Sequence, residues 1–153
     1  MYRETTIVSY LTARPSRTVV LRAHQQITRT WWRTRRHDFD LFISPLVLQE
    51  AGDGDPEAAR RRLTALAGIP VLAAVPGALA VAHALRERGP IPQRAAADAM
   101  HIAIAAAHGV EYLLTWNCTH IANAQMRPSI ERLCRGAGFE PPILCTPEEL
   151  LED

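Results

Sequence analysis

The stretch Ala95-Ala96-Ala97-Asp98-Ala99-Met100-His101-Ile102-Ala103-Ile104-Ala105-Ala106-Ala107 reads as a helix that is apolar on nearly every face. A helix without a polar side belongs in the interior, so this segment is expected at the centre of the fold. A carboxylate there is costly unless it is paired or coordinates a metal, and Asp98 in the opening turns also gains from the positive end of the helix dipole. His101 lies three residues on and shares the face of Asp98; it reads as a buried supporting residue rather than a ligand.

Outward from this helix, short β-like runs alternate with helical stretches, the pattern of a parallel sheet covered by helices. Strands are expected near Tyr2–Thr5, Leu41–Ile43, Val71–Ala74, Tyr112–Leu114 and Ile143–Cys145. Helices are expected near Thr18–Arg35, Pro45–Glu50, Glu57–Leu66, Gly77–Arg88, Ala95–His108 and Pro128–Arg135, with a last turn at Pro147–Leu151. Pro56 after Asp55 and Pro147 after Thr146 put proline at a first helical position behind a capping side chain. Nothing from Leu63 to Leu85 is formally charged, but Gly68, Pro70, Pro76 and Gly77 interrupt it, so it reads as helix end, strand and new helix rather than a membrane span. With no linker or repeat, the expectation is a single α/β domain over residues 1–153, a three-layer α/β/α sandwich around a parallel sheet.

A chain of 153 residues can bury a core without disulfides, and 48% hydrophobic against 22% charged residues is globular composition. Seventeen basic residues balance sixteen acidic ones, so any nucleic-acid contact must come from local patches. Cys118, Cys134 and Cys145 form no CxxC pair and are odd in number, which points to a reducing, cytoplasmic setting. The N-terminus carries Arg3 and Glu4, and the apolar h-region of a signal peptide is not expected there.

Three more residues join Asp98. Glu4 follows the first strand, and ligands of parallel α/β sheets bind beyond the carboxyl ends of strands. Glu50 closes the helix opened by Ser44-Pro45, after the second strand. Asn117 falls just past the strand in Leu113-Leu114-Thr115-Trp116-Asn117-Cys118-Thr119-His120, where an Asx turn is the alternative use. Hard oxygen donors of this kind suit Mg²⁺ or Mn²⁺, ions that keep several waters and can activate one for attack on a phosphodiester. No P-loop or zinc spacing competes.

Together these positions resemble the PIN-domain nucleases, and within them the VapC type of toxin ribonuclease. Glu4-Thr5-Thr6 takes the place of that family's Asp-Thr-Ser or Asp-Thr-Asn, Ser44 through Glu50 matches its Ser-x5-Glu, Asp98-Ala99 with Ala103 and Ala106 matches its third acidic helix, and Thr115-x-Asn117 occupies the place of its Thr-x-Asp. Glu stands for the first Asp, Asn for the fourth acid, and Arg3 for an apolar strand residue. The resemblance implies a Mg²⁺- or Mn²⁺-dependent endoribonuclease acting on single-stranded RNA, a homodimer, and an antitoxin partner. Glu4, Glu50, Asp98 and Asn117 would be its catalytic and metal-binding residues, with Thr6, Thr115 and His101 supporting them. The departures at Glu4 and Asn117 suit a second reading, a PIN-like module that binds RNA or protein without cutting.

Arg29, Arg33, Arg35 and Arg36 surround Trp31-Trp32, where one tryptophan is expected to pack inward and the arginines to favour a helix C-terminus. Arg14 and Arg17, nearer Glu4 in sequence, are the expected RNA phosphate contacts.

Overall fold

The computed structural model describes residues 1–151. Among the described residues, seven α-helices surround a small parallel sheet: α1 Thr5–Thr12, α2 Val19–Thr34, α3 Pro45–Gly52, α4 Pro56–Leu66, α5 Pro76–Glu87, α6 Ala96–Ala107 and α7 Arg127–Gly136, with strands β1 Tyr2–Arg3, β2 Tyr112–Leu114 and β3 Ile143–Cys145. The fold is mixed α/β. β2 lies between β1 and β3, parallel to both, with Tyr2 opposite Leu113 and Leu113 opposite Leu144. Two single parallel bridges, Tyr2 with Phe42 and Ile43 with Val71, continue the pairing beyond β1. The expected strands at Leu41–Ile43 and Val71–Ala74 are thus reduced to the residues that make these bridges. No helix among the described residues is long and apolar enough to cross a membrane, and the uncharged run from Leu63 ends α4, bridges at Val71 and begins α5.

Alternation along each strand builds two apolar clusters. Tyr2, Leu113 and Leu144 join Ile102, Ala103 and Ala106 of α6 and Val81 and Leu85 of α5 in one. Leu114 and Cys145 turn the other way, into a second cluster with Ile7 and Trp31. Each fully buried Ile or Leu contributes roughly 1.5–3 kcal/mol through area removed from water, so α6, buried along most of its length, anchors the larger cluster. Trp31 is the inward-facing member of the tryptophan pair.

Capping sets the helices that matter for the site. Ser44 accepts a hydrogen bond from Val47 N at the start of α3, with Pro45 at the first helical position, and Asp55 does the same for α4 through Ala58 N. The expected first strand, Tyr2–Thr5, stops at Arg3 because Glu4 becomes the N-cap of α1, its side chain accepting from Thr6 N.

Arg3 faces the side opposite Tyr2 and is only 1% exposed. Its guanidinium lies 4.5 Å from the centroid of the Trp32 ring, which Arg36 also covers at 4.7 Å. None of its three side-chain nitrogens has a hydrogen-bond partner. Burial, with the charge of Arg36 added, lowers its pKa to about 9, so the group still enters the fold as a cation at neutral pH.

Candidate metal centre

The end of β1 and the start of α1 put Glu4 beside β2. Glu4 is 5% exposed, yet its Oε2 is well satisfied: Thr6 N donates at 3.1 Å, Thr115 Oγ1 at 2.7 Å, and the Thr6 hydroxyl as well. Thr6 Oγ1 in turn accepts from Trp116 N at 2.8 Å, which ties the loop after β2 to the first turn of α1. Thr6 and Thr115, expected as supporting residues, are therefore the donors that hold this carboxylate.

Glu50, on α3, is held through Oε2 as well. The Thr5 hydroxyl donates to it, and His101 Nε2 lies 3.0 Å away. Burial acts to raise the pKa of Glu50, but the hydrogen bonds from His101 and Thr5 outweigh it and the net shift is downward. An ionised carboxylate only accepts, so with a neutral imidazole Nε2 carries the proton and Nδ1 is the acceptor. Nδ1 is 2.7 Å from Tyr2 Oη, which is 2.8 Å from Ser44 Oγ. Because Ser44 Oγ already accepts from Val47 N, a consistent set of donors runs Ser44 to Tyr2 to His101 to Glu50. Burial raises the Tyr2 phenol far above its usual range, so it stays neutral and can donate. His101 thus orients Glu50, with both ring nitrogens already engaged.

Glu4, Glu50 and His101 each offer a donor atom within 4.8 Å of the others, the one such acidic and histidine cluster among the described residues. In both glutamates the bonded oxygen is Oε2. Oε1 of each receives no hydrogen bond from a described residue and is not sealed from solvent. A pair of fixed carboxylates, each with one oxygen open, fits a hard divalent cation that retains water.

Asp98 and Asn117 take different partners. Asp98 Oδ2 is 2.7 Å from His120 Nδ1, with 20% and 17% of the two side chains exposed. Asn117 Oδ1 accepts from His120 N at 3.1 Å, three residues on, a capping bond within its own loop in place of the two-residue Asx turn, while Asn117 N donates to Thr115 Oγ1. His120 is the link between them. Asp98 remains one helical turn from His101 on α6, with Oδ1 carrying no hydrogen bond. Arg14 and Arg17 are exposed: Arg14 lines a cavity of about 420 Å³ between α1 and α4, and Arg17 lines another beside the start of α2.

Tyr2, Thr5 and His120 carry much of this geometry and were not singled out in the sequence. Tyr2 reads as an ordinary strand residue, and Thr5 has no local signal pairing it with a glutamate forty-five positions away. His120, three residues after Asn117, did carry a signal, since that spacing suits a capping side chain.

No protein-family model, curated protein or solved structure matches this chain.

Proposed function

We propose that the chain is a divalent-metal-dependent endoribonuclease of the PIN type, its helices and sheet forming that family's α/β/α sandwich. The observation that carries this reading is the pair Glu4 and Glu50, brought together from opposite ends of a forty-six-residue separation and each bonded through one oxygen only. A bound Mg²⁺ or Mn²⁺ would polarise a phosphodiester and lower the pKa of its water. Glu4 and Glu50 would hold it. Thr6, Thr115, Thr5 and His101 keep those carboxylates in place, and the buried Tyr2–His101 connection fixes the imidazole so that Glu50 cannot rotate its open oxygen away. Asp98, outside the close cluster of Glu4, Glu50 and His101, would add an acid from α6, with His120 setting its orientation and Asn117 setting the backbone of His120. Single-stranded RNA is the proposed substrate, and a homodimer and an antitoxin are the partners that the VapC resemblance brings.

Purified protein incubated with RNA should cleave it in Mn²⁺ or Mg²⁺ and stop on addition of chelator, and Glu50→Gln should abolish cleavage while leaving the fold intact. Equal cleavage by parent and Glu50→Gln would remove Glu50 from the chemistry. RNA binding without cleavage under every divalent ion would favour the second reading, a binding module, for which the argument is that Asn117 commits its oxygen to its own loop.

A further inference from the structure

From Thr5 to His37 the chain carries seven arginines and no Asp or Glu. This stretch forms α1, α2 and their connection, the connection being tied down where Gln25 accepts from Ser16 N and donates to Arg14 O. Arg14, Arg17 and Arg22 are exposed. Asp55 and Glu57 of α4 share the cavity of Arg14, so the basic run is not acid-free in space; exposed arginines still attract a polyanion, but charge alone does not distinguish one polyanion from another.

Rings beside Glu4 make that distinction. His24 stacks on Trp116 with centroids 4.0 Å apart and planes at 13°, and Tyr10 lies nearly parallel to both at 6.1 Å and 6.3 Å. Trp116 is locked: its indole Nε1 donates to Thr28 Oγ1 at 2.7 Å and its backbone N to Thr6 Oγ1. The same Thr6 hydroxyl donates to Glu4, so two hydrogen bonds through Thr6 link the backbone of Trp116 to the carboxylate. Tyr10 lies one turn beyond Thr6 on α1, and the charge of Glu4 helps, after burial and Cys118, to raise its phenol pKa. Tyr10 and His24 are half-buried, each held by neighbours yet open on part of its surface.

We propose that Tyr10 and His24, backed by Trp116, form a stacking platform for a nucleobase of single-stranded RNA, directing the adjoining phosphate toward an ion that Glu4 would hold. Aromatic rings accept any base on its π-face, and the arginines of the α1–α2 connection take the flanking phosphates. Rings fixed before binding lose little entropy on receiving a base. The orientation of the strand rests on the nuclease reading of Glu4; the stacking itself does not.

The test is fluorescence anisotropy of a short labelled single-stranded RNA in chelator, where no cleavage occurs, beside the same strand with abasic positions. Stacking of one base should make the parent prefer the intact strand by about tenfold, which is about 1.4 kcal/mol. Tyr10→Ala should lose affinity by a similar factor and lose the preference, while Tyr10→Phe, which keeps the ring, should retain both. Melting curves confirm that each variant is folded. Equal binding of abasic and intact strands by the parent, or parent-like binding by folded Tyr10→Ala, would overturn the platform, as would preference for a duplex. Cleavage assayed separately in Mn²⁺ distinguishes the two ideas. A parent that cleaves but shows no base preference sinks the platform alone, whereas base preference without cleavage supports it and sinks only the nuclease reading.

Discussion

Arg3 and Glu4 are neighbours in sequence, both almost wholly buried and both ionic, yet their surroundings differ completely. Glu4 Oε2 collects a backbone N–H and two hydroxyls, whereas the three nitrogens of Arg3 meet no acceptor and only the face of Trp32. Cation–π contact recovers about 0.5–2 kcal/mol, less than the desolvation of an ion costs. The comparison teaches where this protein has built for a charge and where it merely tolerates one. Three donors converge on one carboxylate oxygen and hold the charge in place, with the other oxygen left open. The Arg3 guanidinium, beside a second cation, has no such support.

The largest effect should come from removing the satisfied charge. Glu4→Leu strands the Thr6 and Thr115 donors and deletes the cap of α1, and should destabilise the protein by about 3 kcal/mol or more in urea melts. Glu4→Gln, which keeps an acceptor, should cost distinctly less. If Leu and Gln were equivalent, the hydrogen bonds to Glu4 would not matter and the contrast with Arg3 would collapse.

Next, Arg3→Met should raise stability, by roughly 1–4 kcal/mol, because it replaces an uncompensated buried ion with an apolar chain of similar length. A variant less stable than the parent would mean that the Trp32 contact outweighs the desolvation. The gain should depend on pH. A cation whose pKa is lowered on folding carries its full penalty while it stays charged, and stability returns as pH rises through the folded value, here about 9. The advantage of Arg3→Met over the parent should therefore shrink above that pH. Reading the difference between the two proteins cancels Cys134 and Cys145, whose thiols burial raises to about 11 and about 12 in both.

The smallest effect should be at Asn117. Asn117→Ala removes one side-chain acceptor from the loop and should cost about 1 kcal/mol while loosening His120. If the same change abolished metal binding, Asn117 would be acting on the ion rather than on the turn.

The sequence made much of this legible, for physical reasons. α6 was readable because an alanine- and isoleucine-rich run with Asp98 as its one acid has no other place than the interior, and α3 and α4 because Ser-Pro and Asp-Pro mark helix starts. β2 and β3 match their expected limits because each is a short apolar run next to turn residues. α1 was not readable. Thr5, Thr6, Ile7 and Val8 are β-branched and read as strand or loop, and only the burial of Ile7 and Val8 with the cap from Glu4 turns them into a helix. Glu4 and Glu50 were legible as acids after strands. The split between Asp98 and His101 was not, because residues one turn apart share a face but lie about 4.5 Å apart along the axis, enough for His120 to take one and Glu50 the other. Asn117 could be read as a ligand or an Asx turn, and its oxygen accepts from His120 N, one residue further on than an Asx turn reaches.

The central claim, that Glu4 and Glu50 hold a divalent ion, is tested most directly by Mn²⁺ binding followed by electron paramagnetic resonance on the parent, Glu4→Gln, Glu50→Gln and Asn117→Ala. The parent and Asn117→Ala should bind Mn²⁺, and both glutamate variants should lose it. A parent that binds no Mn²⁺, or glutamate variants that bind it as the parent does, would contradict it.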